Sequence, residues 1–232
     1  MGELIKFTNV SKTYGSKPAL TNINLTLQSG KIIGLLGPNG SGKTTFIKLA
    51  NGLLQPTAGE ILIQGNKPGV ATKSIVSYLP EKTYLNDWMK VSELLKFFKD
   101  FYSDFNIDKA YDMLHSLNIN ENDKLKTMSK GTKEKVQLIL VMSRNARLYL
   151  LDEPIGGVDP AARDYILNTI INNYCEDSTV LISTHLIQDV EKIFDDIIFL
   201  SNGQIILHDS VDNVREQNGV SIDELFREVF KC

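Results

Sequence analysis

Lys43 and Thr44 close the run Gly37-Pro38-Asn39-Gly40-Ser41-Gly42-Lys43-Thr44, which fits the pattern G-x-x-x-x-G-K-[ST]. Residues of these types at this spacing suit a nucleoside triphosphate. Gly37, Gly40 and Gly42 let backbone N–H groups approach phosphate oxygens, because they carry no Cβ. Lys43 brings a full charge to the β- and γ-phosphates, and the Thr44 hydroxyl is a ligand for Mg²⁺. A chance match in a chain of this length has odds of roughly one per cent. The flanks lower those odds further: the apolar run 32–36 predicts a buried parallel strand, and residues 45–51 predict a helix ended by Gly52. The positive end of that helix faces the phosphates.

A second constellation lies far along the chain. Tyr149-Leu150-Leu151-Asp152-Glu153 predicts an apolar strand ending in two acids. Triphosphate hydrolysis needs a carboxylate at Mg²⁺ and a second group to orient and deprotonate water. Successive residues of a strand point to opposite faces, so Asp152 is assigned to the metal and Glu153 to the general base.

These residues need a scaffold, and the chain is long enough to supply one. Its 232 residues are 42% hydrophobic and 23% charged, ordinary for a globular protein with a sizeable core. The net charge of −3 gives no basic field, so nucleic acid is not expected as a partner. Two cysteines, Cys175 and Cys232, exclude a disulfide framework and suit a reducing cytosol. No apolar run approaches the roughly 20 residues of a membrane span, and the start carries no signal-peptide core.

Short β-rich runs are predicted at 5–10, 23–27, 32–36, 60–64 and 75–79. From about 91 to 142 the texture is helical, and Val91, Leu94, Leu95, Phe98, Tyr102 and Phe105 form one apolar stripe, read as helix core. Alternation then returns. Strands are predicted at 149–151 and 179–183, and a helix at 160–172 with Asp159 as N-cap and Pro160 first. A helix at 186–194 follows, then a hairpin around Asn202-Gly203 and two short helices at 211–217 and 221–230. The expected fold is an α/β P-loop NTPase core, a mixed, mainly parallel sheet flanked by helices with an antiparallel part. It forms one domain over 1–232, with core segments of about 1–83 and 145–232 and a helical insertion of about 84–144.

At this point the chain resembles, end to end, the nucleotide-binding domain of an ATP-binding cassette (ABC) transporter. Its motifs stand in that family's order. The resemblance implies that Tyr14 stacks on adenine and that residues 37–45, now including Thr45, hold the phosphates. Leu151-Asp152-Glu153-Pro154 matches the acidic strand end, and Gly157-Val158-Asp159 the short loop that crosses between subunits. Ser183-Thr184-His185 matches the switch histidine, so His185 is expected to contact the γ-phosphate and help hold the attacking water. His115 and His208 have no such context.

Two motifs depart from the family pattern. Where the family has a glutamine that senses Mg²⁺ and water, Tyr78-Leu79-Pro80-Glu81 places a carboxylate. Glu81 is a candidate metal ligand, and its charge either tightens the metal or repels the nucleotide. The signature Leu-Ser-Gly-Gly-Gln reads Met128-Ser129-Lys130-Gly131-Thr132. Ser129 and Gly131, which would face the partner subunit's γ-phosphate, survive. Lys130 either adds charge there or faces solvent with its neighbouring lysines.

The resemblance implies ATP and Mg²⁺ as ligands, ATP hydrolysis, and a homodimer or heterodimer in which each chain completes the other's site. It implies transmembrane permease subunits as partners and a cytoplasmic chain held peripherally on the inner face of the cell membrane. Tyr84, Leu85, Trp88 and Met89 are expected to line the groove for a helix of that partner. The short chain and its two departures resemble bacterial exporters. The rival is a soluble cassette ATPase acting on a non-transport partner. Such proteins need a long coiled-coil insertion, a second cassette or a basic face, and the sequence shows none. A kinase would need an Arg-rich lid, and a GTPase an Asn-Lys-x-Asp that Asn66-Lys67-Pro68-Gly69 does not supply.

Overall fold

The computed structural model describes residues 2–156, 158, 160–175 and 177–231. Three antiparallel strands form one sheet, β1 (Glu3–Tyr14), β2 (Lys17–Gln28) and β4 (Ala58–Ile63), in the order β2-β1-β4. The main sheet contains β3 (Ile32–Leu36), β5 (Val76–Leu79), β6 (Leu148–Asp152), β7 (Thr179–Thr184), β8 (Asp196–Ser201) and β9 (Gln204–Ser210). Its order is β5-β6-β7-β3-β8-β9, parallel throughout except for the antiparallel β8–β9 hairpin. Asn202 and Gly203 both take positive φ at that hairpin, as a two-residue primed turn requires.

Both faces of the central strands are covered, and residue parity decides which core each side chain enters. Ile33 and Leu35 of β3, Leu148 and Leu150 of β6, and Ile198 and Leu200 of β8 join one cluster. It also takes α1 (Lys43–Ala50) and the antiparallel sheet, with the Phe7 and Phe46 rings stacked 4.3 Å apart. Ile32, Leu36, Tyr149, Leu151, Ile197 and Phe199 point the other way. Their cluster continues into α3 (Val91–Phe101), α4 (Ile107–Ser116) and α5 (Lys130–Met142), so the insertion shares its apolar interior with the sheet. The same face takes α6 (Pro160–Asn173), α8 (Val211–Asn218) and α9 (Ile222–Phe230).

Several expectations need correction. The first third is not only strands and α1, because Val70–Lys73 forms a helical turn, α2. The stripe from Val91 to Phe105 is not one helix: α3 stops at Phe101, and Tyr102 is extended at φ −119°. Arg144 explains the break. Its guanidinium lies 3.9 Å from the Tyr102 ring centroid and binds Asp104 at 3.0 and 3.1 Å. It also donates to the carbonyls of Val76 and Ser74. This buried fork fastens residues 102–104 to the edge strand β5, which outweighs one more helical turn. The helix expected at 186–194 is one α-turn, α7 (Ile187–Val190), followed by a 3₁₀ turn over Glu191–Ile193. The intersubunit loop of residues 157–159, the Asp159 cap and Cys232 lie outside the described residues, apart from Val158.

Candidate functional site

The turn from β3 into α1 is packed too tightly for side chains at two glycines. A Cβ on Gly37 would stand 2.3 Å from the Leu200 carbonyl oxygen. On Gly42, at φ +111°, it would stand 2.7 Å from that of Ala19. These glycines therefore seat the loop against the protein itself. Gly42 is the N-cap of α1 and offers no side-chain cap, so the first N–H groups of the helix are left for a ligand.

Tyr14, Asn39, Gly40, Gly42, Lys43, Thr44, Thr45, Glu81, Glu153 and His185 line one cavity of about 830 Å³. Gly37, Pro38 and Ser41 do not line it. Ser41 is buried, its N–H goes to the Pro38 carbonyl at 3.2 Å, and it serves the loop rather than the cavity wall. Lys43 is buried too, donating to the Gly37 carbonyl at 2.8 Å and lying 3.3 Å from a Glu153 oxygen. Tyr14, at the end of β1, is half exposed on the rim.

Asp152 ends β6 at 1% exposure beneath this cavity. Its Oδ1 accepts from Ser183 at 2.7 Å and from Thr44 at 3.3 Å. Among the described residues its Oδ2 has no partner. Burial pushes this carboxyl above the usual carboxylate range, against the pull of the two hydroxyls, and the nearby Glu153 and Glu81 charges push the same way. A buried carboxylate with a spare oxygen beside a threonine hydroxyl is a hard-oxygen donor set that fits Mg²⁺. Glu81 is exposed on the cavity wall, within electrostatic reach of Asp152.

Glu153 does not simply follow the pleat, as strand alternation predicts. Its backbone turns left-handed at φ +50°, and its N–H donates to the Ser183 carbonyl and hydroxyl at 3.1 and 3.0 Å. That uncommon conformation swings the carboxylate toward Lys43 and His185, whose Nδ1 lies 3.0 Å from Glu153 Oε2. If His185 donates from Nδ1, its Nε2 carries a proton only in the imidazolium form. A donation from His185 to phosphate therefore needs either that form or release of Glu153.

Ser129 and Gly131 are placed elsewhere. Ser129 caps α5, accepting from the Thr132 N–H at 3.2 Å, with the two hydroxyls 2.8 Å apart. Both residues line a separate depression with Lys135 and Val158. Lys130 is largely exposed, 3.7 Å from Glu134, and reaches the rim of the cavity of its own chain.

Two contributors escape a reading of the sequence. Ser183 holds both Asp152 and Glu153, and Gln137 grips the segment around Glu81. Gln137 had a signal, as the one polar residue in the buried run Val136–Met142.

A family model described as "ABC transporter" matches residues 20–156. The chain belongs to the ABC transporter family. The SkfA peptide export ATP-binding protein SkfE of Bacillus subtilis (strain 168) is 30% identical over 221 residues, covering 93% of this chain and 92% of that protein. A solved ATP binding subunit of an ABC transporter is similar at 27% identity and TM-score 0.88, covering 98% of this chain and 99% of that one. The ATP-binding cassette MJ0796, solved as a dimer in a post-hydrolysis state with ADP and Pi, shares the fold at TM-score 0.78 and 24% identity, covering 89% and 98%. This ABC chain is an ATP-hydrolysing subunit that works with ATP and Mg²⁺. Among the described residues no helix is long and apolar enough to cross a membrane.

Proposed function

We propose that two such chains close face to face on ATP·Mg²⁺, each supplying Ser129 and Gly131 to the phosphates on the other's loop, and that this closure drives export through separate transmembrane subunits. The observation that carries the reading is that the phosphate-type residues and the signature residues line different depressions. Lys43, Thr44, Glu153 and His185 surround the cavity, whereas Ser129 and Gly131 line another depression. A single chain thus holds two halves of a site, and two identical chains suffice to make two whole ones. The dimeric MJ0796 cassette and the peptide-export role of SkfE support the assembly and the direction.

In this reading Lys43 exchanges its Glu153 contact for the β- and γ-phosphate oxygens. Thr44 and Asp152 hold Mg²⁺, which offsets phosphate charge when bound. Glu153, released from Lys43, accepts a proton from water as the oxygen bonds to the γ-phosphorus and the bond to ADP breaks. His185 orients that water. The chain is then peripheral on the inner face of the membrane, through its partner.

For the partner contact, Tyr84 and Trp88 are 55% and 67% exposed, whereas Leu85 and Met89 pack on the core. Phe97 and Phe101 of α3 are also exposed, with ring centroids 4.6 Å apart. Together they offer an aromatic seat for a cytoplasmic helix of the membrane subunit. Trp88→Ala with Phe101→Ala should abolish co-purification of that subunit while ATP binding by the chain persists. Retained co-purification would remove these residues from the contact.

The central test is Glu153→Gln with ATP. Size-exclusion chromatography should show an ATP-dependent dimer without turnover; a monomer that still hydrolyses ATP would overturn the proposal.

A further inference from the structure

Gln137 is buried among apolar neighbours on α5, where its amide costs stability unless every bond is made. Among the described residues its side-chain bonds all go to one distant segment. Its Oε1 accepts from Thr83 Oγ1 at 2.6 Å and the Tyr84 N–H at 3.4 Å, and its Nε2 donates to the Pro80 carbonyl at 3.3 Å. These contacts bracket Glu81 on both sides. About two turns earlier on the same hydrogen-bonded helix stands Ser129, its N-cap.

We propose that Gln137 is a positioning residue that makes the Glu81 segment and the signature helix move as one body. Occupancy of the metal–nucleotide site in one chain then sets where its Ser129 is presented to the partner's nucleotide. The inference rests on the dimer reading above for its consequence, but the tether lies within one chain. Other ties do not substitute for it. The Lys133–Asp87 pair at 2.7 Å is exposed on the Asp87 side and screened by salt. The backbone bonds from Leu125 to Met89 and from Lys126 to Asp87 join the segment beyond Glu81 to the turn that precedes Ser129. Among the described residues only Gln137 bonds from the interior of α5 to residues on both sides of Glu81. A carboxylate at position 81 makes such a grip consequential, because its distance from the phosphates carries an electrostatic cost that the loop must transmit rather than relax.

The test is hydrogen exchange on the full chain at a concentration where it is monomeric, with and without Mg·ADP. In the unsubstituted chain Mg·ADP should change exchange both at residues 80–84 and in the first turn of α5. In Gln137→Leu the response should stay at 80–84 and vanish from α5, with the Mg·ADP Kd unchanged within about twofold, since no nucleotide contact is removed. Thr83→Val, at an exposed position that leaves the core intact, should weaken the α5 response and decides the matter if Gln137→Leu fails to fold. An α5 response of full size in these variants, or none in the unsubstituted chain, overturns the tether. In the Glu153→Gln background, Gln137→Leu should raise the ATP concentration for half-maximal dimerisation about tenfold, the effect of losing one to two buried hydrogen bonds. No shift there also overturns the proposal. Failure of Glu153→Gln itself to dimerise sinks the dimer reading, while the single-chain exchange result still decides the tether.

Discussion

In the dimer proposed above, the phosphate loop and the signature helix both aim a helix N-terminus at phosphate, yet they are built in opposite ways. At α1 the cap is Gly42, with no side chain to satisfy the first N–H groups and a Cβ forbidden by Ala19. At α5 the cap is Ser129, whose oxygen already serves the Thr132 N–H. The first helix start leaves its first N–H groups to a ligand, whereas the second already has one of them, that of Thr132, satisfied by its own cap. On that reading the comparison teaches a division of labour: tight binding would belong to the loop, and closure would be left to a helix that must share its cap.

The sharpest way to test that division is to remove the proposed base, which belongs to neither helix start. Glu153→Gln keeps the size and the bond to His185 but cannot accept the proton. Turnover should fall by about 10²- to 10⁴-fold, the span of general-base contributions, with ATP binding retained. Next in size is Ser129→Ala. If α5 acts only at closure, kcat should fall about 10- to 100-fold, the worth of a hydrogen bond to a charged group. The Kd of the monomeric chain for ATP should not move. A matching loss in both would place Ser129 at the phosphates of its own chain and dissolve the contrast.

The loop side was legible in the sequence because its chemistry is local. The glycines, Lys43 and Thr44 lie within one loop, and the apolar runs at 32–36 and 149–151 mark the strands beside it. Asp152 and Glu153 were legible as types, but the device that separates them was not. A left-handed backbone at Glu153 depends on Ser183, a residue from another strand. The signature side was legible only as departures. Arg144 ends the apolar stripe through partners on β5 and in residues 102–104, and Gln137 acts through residues 80–84. Such long-range hydrogen bonds leave no periodicity to read.

Asp152 offers a third measurement, on stability. Its carboxyl is held above the ordinary value in the fold, so ionisation is disfavoured there relative to the unfolded chain. The penalty is absent below the unfolded pKa of about 3.9 and grows as pH rises through the folded value. Asp152→Asn keeps an oxygen for Ser183 and removes the charge. Without nucleotide its Tm should exceed that of the unsubstituted chain near neutral pH, and the gap should close in acid. Thermal melts at several pH values check this, and added Mg·ADP should stabilise only the unsubstituted chain strongly.

The smallest effect should come from Thr132. Its hydroxyl stands 2.8 Å from that of Ser129, while its N–H already occupies one lone pair of the Ser129 oxygen. If Thr132 donates to the other lone pair, Ser129 keeps its proton for a phosphate oxygen; if Ser129 donates instead, that proton is spent at rest. Thr132→Val removes the hydroxyl and leaves the backbone cap. In the first case kcat should fall about fivefold, the net worth of one hydrogen bond, and Thr132→Ser should restore it. In the second case kcat should hold or rise, because Ser129 is freed. The sign of this change tells whether the signature helix is preset for phosphate or must first break a bond of its own, a step that the uncapped N–H groups after Gly42 never have to make.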